Sequence, residues 1–145
     1  MKMKNSTRRP SHRKGAAVVE LAVVLPFLML LVLGICELGQ SLRVSSILSE
    51  AGRNACAAAS APGASNSEVI SQVTTALANA GLSTNTASVT VYVNGAAGAD
   101  ISTASRYDKI TVTVSVPWQS VNLSGTSAFF LSSTTLSNTT TMLKQ

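Results

Sequence analysis

A chain of 145 residues with a formal net charge of +5 is long enough for one domain of ordinary size. Its basic balance suggests a nucleic-acid partner, but six of its eleven Lys and Arg residues precede Gly15. The remaining five (Arg43, Arg53, Arg106, Lys109, Lys144) are scattered among six acids, which excludes the clustered basic face that nucleic acid requires. The lone histidine, His12, lies in the basic leader, so the rest of the chain has no imidazole for acid–base chemistry. Cys36 and Cys56 have neither a CxxC spacing nor histidine partners, which argues against zinc.

Residues 1–15 form that leader, with Lys2, Lys4, Arg8, Arg9, Arg13 and Lys14 before the glycine. Residues 16–36 are apolar except for Glu20. As a helix they extend about 31 Å, close to the thickness of a bilayer's hydrocarbon core. Pro26 removes one helical hydrogen bond and bends the helix, which membrane helices tolerate. The positive-inside rule places the leader in the cytoplasm and the C-terminal part outside. A cleaved secretory signal would have a shorter apolar core with small residues just after it, and here the small-residue tract starts only at Ala55. Ile35 stands where a lipoprotein signal, ending at Cys36, wants a small residue.

A carboxylate within such a segment costs free energy, so Glu20 needs a function or an escape route. It can reach the cytoplasmic headgroups as a snorkelling side chain. Alternatively, cleavage between Gly15 and Ala16 would create an α-amine, mostly protonated at neutral pH with a reference pKa of about 8. That amine lies four residues from Glu20 on one helical face, and between chains it could pair with a neighbour's carboxylate and set axial stagger.

The string Gly15-Ala16-Ala17-Val18-Val19-Glu20-Leu21, with Val24-Leu25-Pro26 and Glu37-Leu38-Gly39 beyond it, resembles the TadE-like minor pilins (pseudopilins) of tight-adherence systems. The resemblance is strong over residues 13–40 and reaches the rest only as a general plan of helix, strands and a Ser/Thr-rich last strand. It implies cleavage after Gly15 by a prepilin peptidase and a role for Glu20 in assembly register. The partners it implies are the pilus assembly platform and its ATPase, the major pilin and other TadE-like subunits.

Beyond the membrane segment the helix is expected to continue through residues 37–60. Leu38, Leu42, Ser45, Leu48, Ala51 or Gly52, and Ala55 form one face, with Gln40, Arg43, Ser46, Glu50, Arg53 and Asn54 opposite. Gly39 and Gly52 either weaken this helix or mark close packing. Cys36 and Cys56 lie about 30 Å apart on it, too far to bridge within one chain. They are expected as free buried thiols, with Cys56 able to bridge to another chain. Ser60-Ala61-Pro62-Gly63 ends the helix, and Ser65 with Glu68 forms a capping box for a second. Val69 or Ile70, Val73, Ala76 or Leu77, and Ala80 make its apolar stripe, and Gly81 suits its C-terminal cap.

The period then changes to two. Val89, Val91 and Val93 alternate with polar residues, as do Ile110, Val112, Val114 and Val116. Between them, Asn94-Gly95 opens a Gly/Ala-rich stretch to about Ser105, too long for a tight hairpin and expected as a mobile tip. Pro117 ends the second strand. Trp118, Phe129 and Phe130 are the natural anchors of the second helix on the sheet, and alternatively a partner surface. A last strand over residues 134–143 turns Leu136 and Met142 inward and is expected at the sheet edge.

The expected fold is α+β and pilin-like: a transmembrane helix continuing outside, a second helix, and an antiparallel sheet of about three strands. Residues 61–145 form its small extracytoplasmic domain. No nucleophile–base pair, phosphate loop, cofactor motif or metal cluster is legible, so a structural role is expected rather than an enzyme. The expected role is a subunit anchored in the bacterial cytoplasmic membrane, N-terminus in and C-terminus out, that starts or builds a tight-adherence pilus and is incorporated into a surface filament or stays beside it. The alternatives are an uncleaved single-pass anchor carrying a small binding domain, and a pseudopilin of a secretion piston.

Overall fold

The computed structural model describes residues 12–121 and 133–145, with backbone alone for residues 12–14. The chain divides into two units, Met1–Cys36 and Glu37–Gln145.

In the first unit, helix α1 (His12–Ser60) begins and carries Pro26. Its large apolar side chains from Val18 to Ile35 are all exposed. Among the described residues, α1 is the helix long and apolar enough to cross a membrane.

The second unit takes up the rest of α1 and adds α2 (Asn66–Asn79) with a four-stranded antiparallel sheet. Strands β1 (Ser88–Val93), β2 (Ala96–Ala97), β3 (Lys109–Pro117) and β4 (Thr135–Leu143) are ordered β2-β1-β3-β4. The core gathers Val44, Leu48, Ala55, Cys56 and Ala59 of α1 with Val69, Val73 and Leu77 of α2. The sheet supplies Val91, Val93, Ile110, Val112, Val114 and Val116. Strict alternation on β3 is why every second residue disappears from solvent there.

The buried face of α1 differs from the one its largest side chains suggest. Leu38 and Leu42 are 62% and 67% exposed, whereas Val44, Leu48, Ala51, Ala55 and Ala59 are buried. At about 100° per residue, those two leucines sit about a third of a turn from the centre of the buried face. Small side chains win because the helix comes very close to β4. A Cβ on Gly52 would stand 3.0 Å from the Thr140 hydroxyl oxygen and 3.1 Å from Asn138 Oδ1. Gly39, by contrast, has open space around it.

Helix α2 begins and ends as its sequence dictates. The Ser65 hydroxyl accepts from the Glu68 N–H at 3.4 Å. At the other end Gly81 takes φ +77°, the Leu82 N–H reaches Leu77 O at 2.9 Å, and the Gly81 N–H reaches Ala78 O at 3.0 Å. This is a Schellman cap, and it needs the left-handed residue that glycine supplies. Of the alternatives along the stripe, Val69 and Leu77 are the buried ones, and Ile70 is exposed.

The stretch after β1 corrects the expectation of a long mobile tip. Asn94 (φ +50°) and Gly95 (φ +87°) make a two-residue turn, so that Val93 pairs with Ala96 and Tyr92 with Ala97. Both positive φ values match the hairpin turn whose twist suits flanking strands. The remainder is tied down. The Asn66 amide donates to Ala99 O at 3.0 Å and accepts from the Ile101 N–H at 3.0 Å, and Ile101 is fully buried in a short 3-10 turn (Ile101–Thr103). The resulting β2 is the strand beyond the three that the hydrophobic alternation marks.

Candidate processing and assembly site

Gly15, Ala16 and Glu20 all lie on α1 in the first unit, with exposed side chains at Ala16 and Glu20. A glycine is about 1 kcal/mol less favourable in a helix than alanine, so the Gly15-Ala16 bond sits at a locally weak point of the helix. A Cβ at Gly15 would meet nothing within 4 Å. Glu20 follows Ala16 by one helical turn, about 6 Å along the axis. No cation of the described residues pairs with its carboxylate. The surrounding Val18, Val19, Leu21 and Val23 are bare, so the surface next to Glu20 is one that lipid or another chain must cover.

The two cysteines differ. Cys36 is free and exposed, which corrects its expected burial. Cys56 is free and fully buried, which removes it as a bridge to another chain. Its thiol donates to Thr140 O at 3.1 Å, and burial pushes its pKa up, with the Val112 and Met142 backbone contacts pulling it partly back. Cys56 thus packs as a small hydrophobe, and its raised pKa is the opposite of a reactive thiolate's.

Trp118 is 3% exposed and sits in the core at the start of a short 3-10 turn (Trp118–Ser120). Phe129 and Phe130 lie outside the described residues. Several residues without a chemical motif turn out to organise the second unit. Lys144 is buried, and its ammonium donates to Ala59 O at 3.1 Å, near the C-terminal end of α1, and to Ala61 O at 2.8 Å, just past it. The Gln145 N–H donates to Ser60 O at 3.1 Å beside it. Asp108 accepts from the Asn94 amide at 2.8 Å and the Ser105 N–H at 2.7 Å, and these bonds hold its carboxyl below the usual range. Asp100 is lowered likewise by the Ser102 N–H that it caps.

Both shifted carboxyls are stabilised as acceptors in turns, the opposite of what a general acid needs. Among the described residues no three His, Cys, Asp or Glu side chains gather as a metal site. The described residues therefore present an exposed apolar helical stretch in the first unit and a folded α+β second unit. Residues 15–56 match the family model described as TadE-like protein. No curated protein matches the chain, and no solved structure does.

Proposed function

We propose that this TadE-like chain is a membrane-anchored minor pilin, or pseudopilin, that takes part in starting or building a tight-adherence pilus. The observation that carries this reading is the extent of the family match. It begins at Gly15 and runs through the bare apolar helix into the buried face of the outer unit. In this reading a prepilin peptidase cuts after Gly15, and the new α-amine of Ala16 gives Glu20 a cation within its own helix or on a neighbouring one. The helix stays in the cytoplasmic membrane with its N-terminus inside, and residues 61–145 lie outside. Its partners are then the peptidase, the assembly platform with its ATPase, the major pilin and other TadE-like subunits.

The deciding experiment is mass spectrometry of the N-terminus in membrane and sheared-surface fractions. A mature species starting at Ala16 supports the reading, and its recovery in the sheared fraction places the subunit in the filament. A mature species that retains the Met1-to-Gly15 peptide overturns the processing step and leaves a plain single-pass anchor. Glu20→Val separates insertion from assembly: membrane levels should stay unchanged while pilus formation falls about tenfold or more, as expected for a lost charge pair in low dielectric. Wild-type piliation by that variant returns Glu20 to a snorkelling role.

A further inference from the structure

The turn between β1 and β2 holds a reactive pair of residues in an unreactive pose. Asn94 and Gly95 are exposed, and a Cβ on Gly95 would meet nothing within 4 Å. No described group accepts from the Gly95 N–H. An asparagine followed by glycine carries its own chemistry, because glycine has no side chain to shield its nitrogen from the preceding carboxamide. Attack on Asn94 Cγ forms a bond from Gly95 N, that nitrogen loses its proton, and Nδ2 takes a proton and leaves as ammonia. Water then opens the cyclic imide at either carbonyl and leaves Asp or iso-Asp at position 94.

The part that Asn94 plays in the fold opposes this attack. Its N–H donates to Lys109 O at 2.8 Å, as in a regular antiparallel pair. The return bond would ordinarily end on the backbone carbonyl of residue 94, but the chain has turned there, with φ +50°. The side chain takes that place, and the Lys109 N–H donates to Asn94 Oδ1 at 2.9 Å. Asn94 Nδ2 donates to Asp108 Oδ1 at 2.8 Å, and Asp108 Oδ2 accepts from the Ser105 N–H at 2.7 Å. The carboxamide is thus the last rung of the β1–β3 ladder, held by its oxygen and its nitrogen from the opposite chain segment. To meet Gly95 N it must release both, and the bond to a carboxylate is the stronger kind.

We propose that Asn94-Gly95 is a latent self-modification site, and that the Asp108 carboxylate is the latch that keeps it closed. Conversion runs one way. An acid at position 94 replaces the amide donor with a second carboxylate facing Asp108, and like charges at that distance repel. Iso-Asp also routes the main chain through the former side chain, which takes the rung away from Lys109. A converted chain therefore loses the closure of the β1–β2 turn and of the turn at Ser105–Asp108 together.

The test incubates the full chain in detergent near neutral pH and follows amide-to-acid conversion at residue 94 by tandem mass spectrometry. The reference is a free peptide with the sequence of residues 91–97, VYVNGAA. The folded chain should convert at least about tenfold more slowly than the peptide, and Asp108→Ala should restore about tenfold of that rate, the scale of one lost bond to a charged group. Asp100→Ala serves as the control, since Asp100 caps the Ser102 N–H in the neighbouring 3-10 turn and leaves the bonds of Asn94 alone. It should convert at the parent rate. Slow amide exchange at Tyr92 and Thr111, paired across β1 and β3, should persist in Asp108→Ala and show that the sheet stays formed while the latch is gone. A parent rate equal to that of the peptide, equal rates in the parent and Asp108→Ala, equal acceleration by Asp100→Ala, or loss of the Tyr92 and Thr111 protection in Asp108→Ala would each overturn the proposal.

Discussion

Two stretches of one helix make opposite use of side-chain size. Residues 16–36 of α1 are mostly large and apolar, and none of them is buried within the chain. Residues 44–59 are built from smaller residues on their inner face, and there Ala51, Ala55, Cys56 and Ala59 are almost wholly buried. Hydrophobic mass thus marks the part that needs an outside partner. Small volume marks the part that touches its own sheet, because a helix axis can approach β4 only where side chains are short.

Substitutions along α1 test this contrast, with unfolding of the full chain in detergent followed through Trp118, its sole tryptophan and a buried one. The largest effect is expected from Leu48→Ala, which empties a fully buried position and should cost about 2–5 kcal/mol. Next comes Gly52→Val, whose added carbons collide with Thr140 and Asn138 and should cost about 1–3 kcal/mol. Gly39→Val, placed in open space, should cost less than about 1 kcal/mol, and equal losses at both glycines would break the close-approach argument. At the far end, Leu28→Ala changes an exposed residue of the first stretch and should move unfolding of the second unit by less than about 0.5 kcal/mol.

A smaller effect than that of the core substitutions is expected from pH. The Asp108 carboxyl is held below its ordinary value by the Asn94 amide and the Ser105 N–H. A lowered folded-state pKa means that the ionised form is favoured by folding. Its contribution is complete above the unfolded value of about 3.9 and is lost as pH falls through the lower folded value. Melting temperatures from pH 6 down to pH 2 should therefore fall less steeply in Asp108→Asn than in the parent. Identical acid limbs would show that the turn does not depend on this charge.

Much of the second unit is legible because its signals are local. The Ser65–Glu68 cap, the Gly81 stop and the alternation from Ile110 to Val116 each lie within a few residues of the structure they specify. The hairpin at Asn94-Gly95 carries a short-range signal too, but a Gly/Ala-rich stretch behind it hides where the loop stops. What anchors that stretch is Asn66, whose two bonds reach 33 and 35 residues along the chain. Cys56 and Lys144 are opaque for the same reason, since their partners lie 84 and 85 residues away. The Gly15, Ala16 and Glu20 pattern is local, confined to one stretch of α1. Trp118 reads as an anchor by size and is found in the core.

The bond between Lys144 and the end of α1 also has a consequence in time. The carbonyls of Ala59 and Ala61 leave the ribosome long before the ammonium that satisfies them, which follows 85 and 83 residues later. Until then the first helix has no closed C-terminal end and the sheet lacks its last strand. Synthesis thus delivers the apolar helix early and the clasp late, and the second unit closes only after Lys144 has been made.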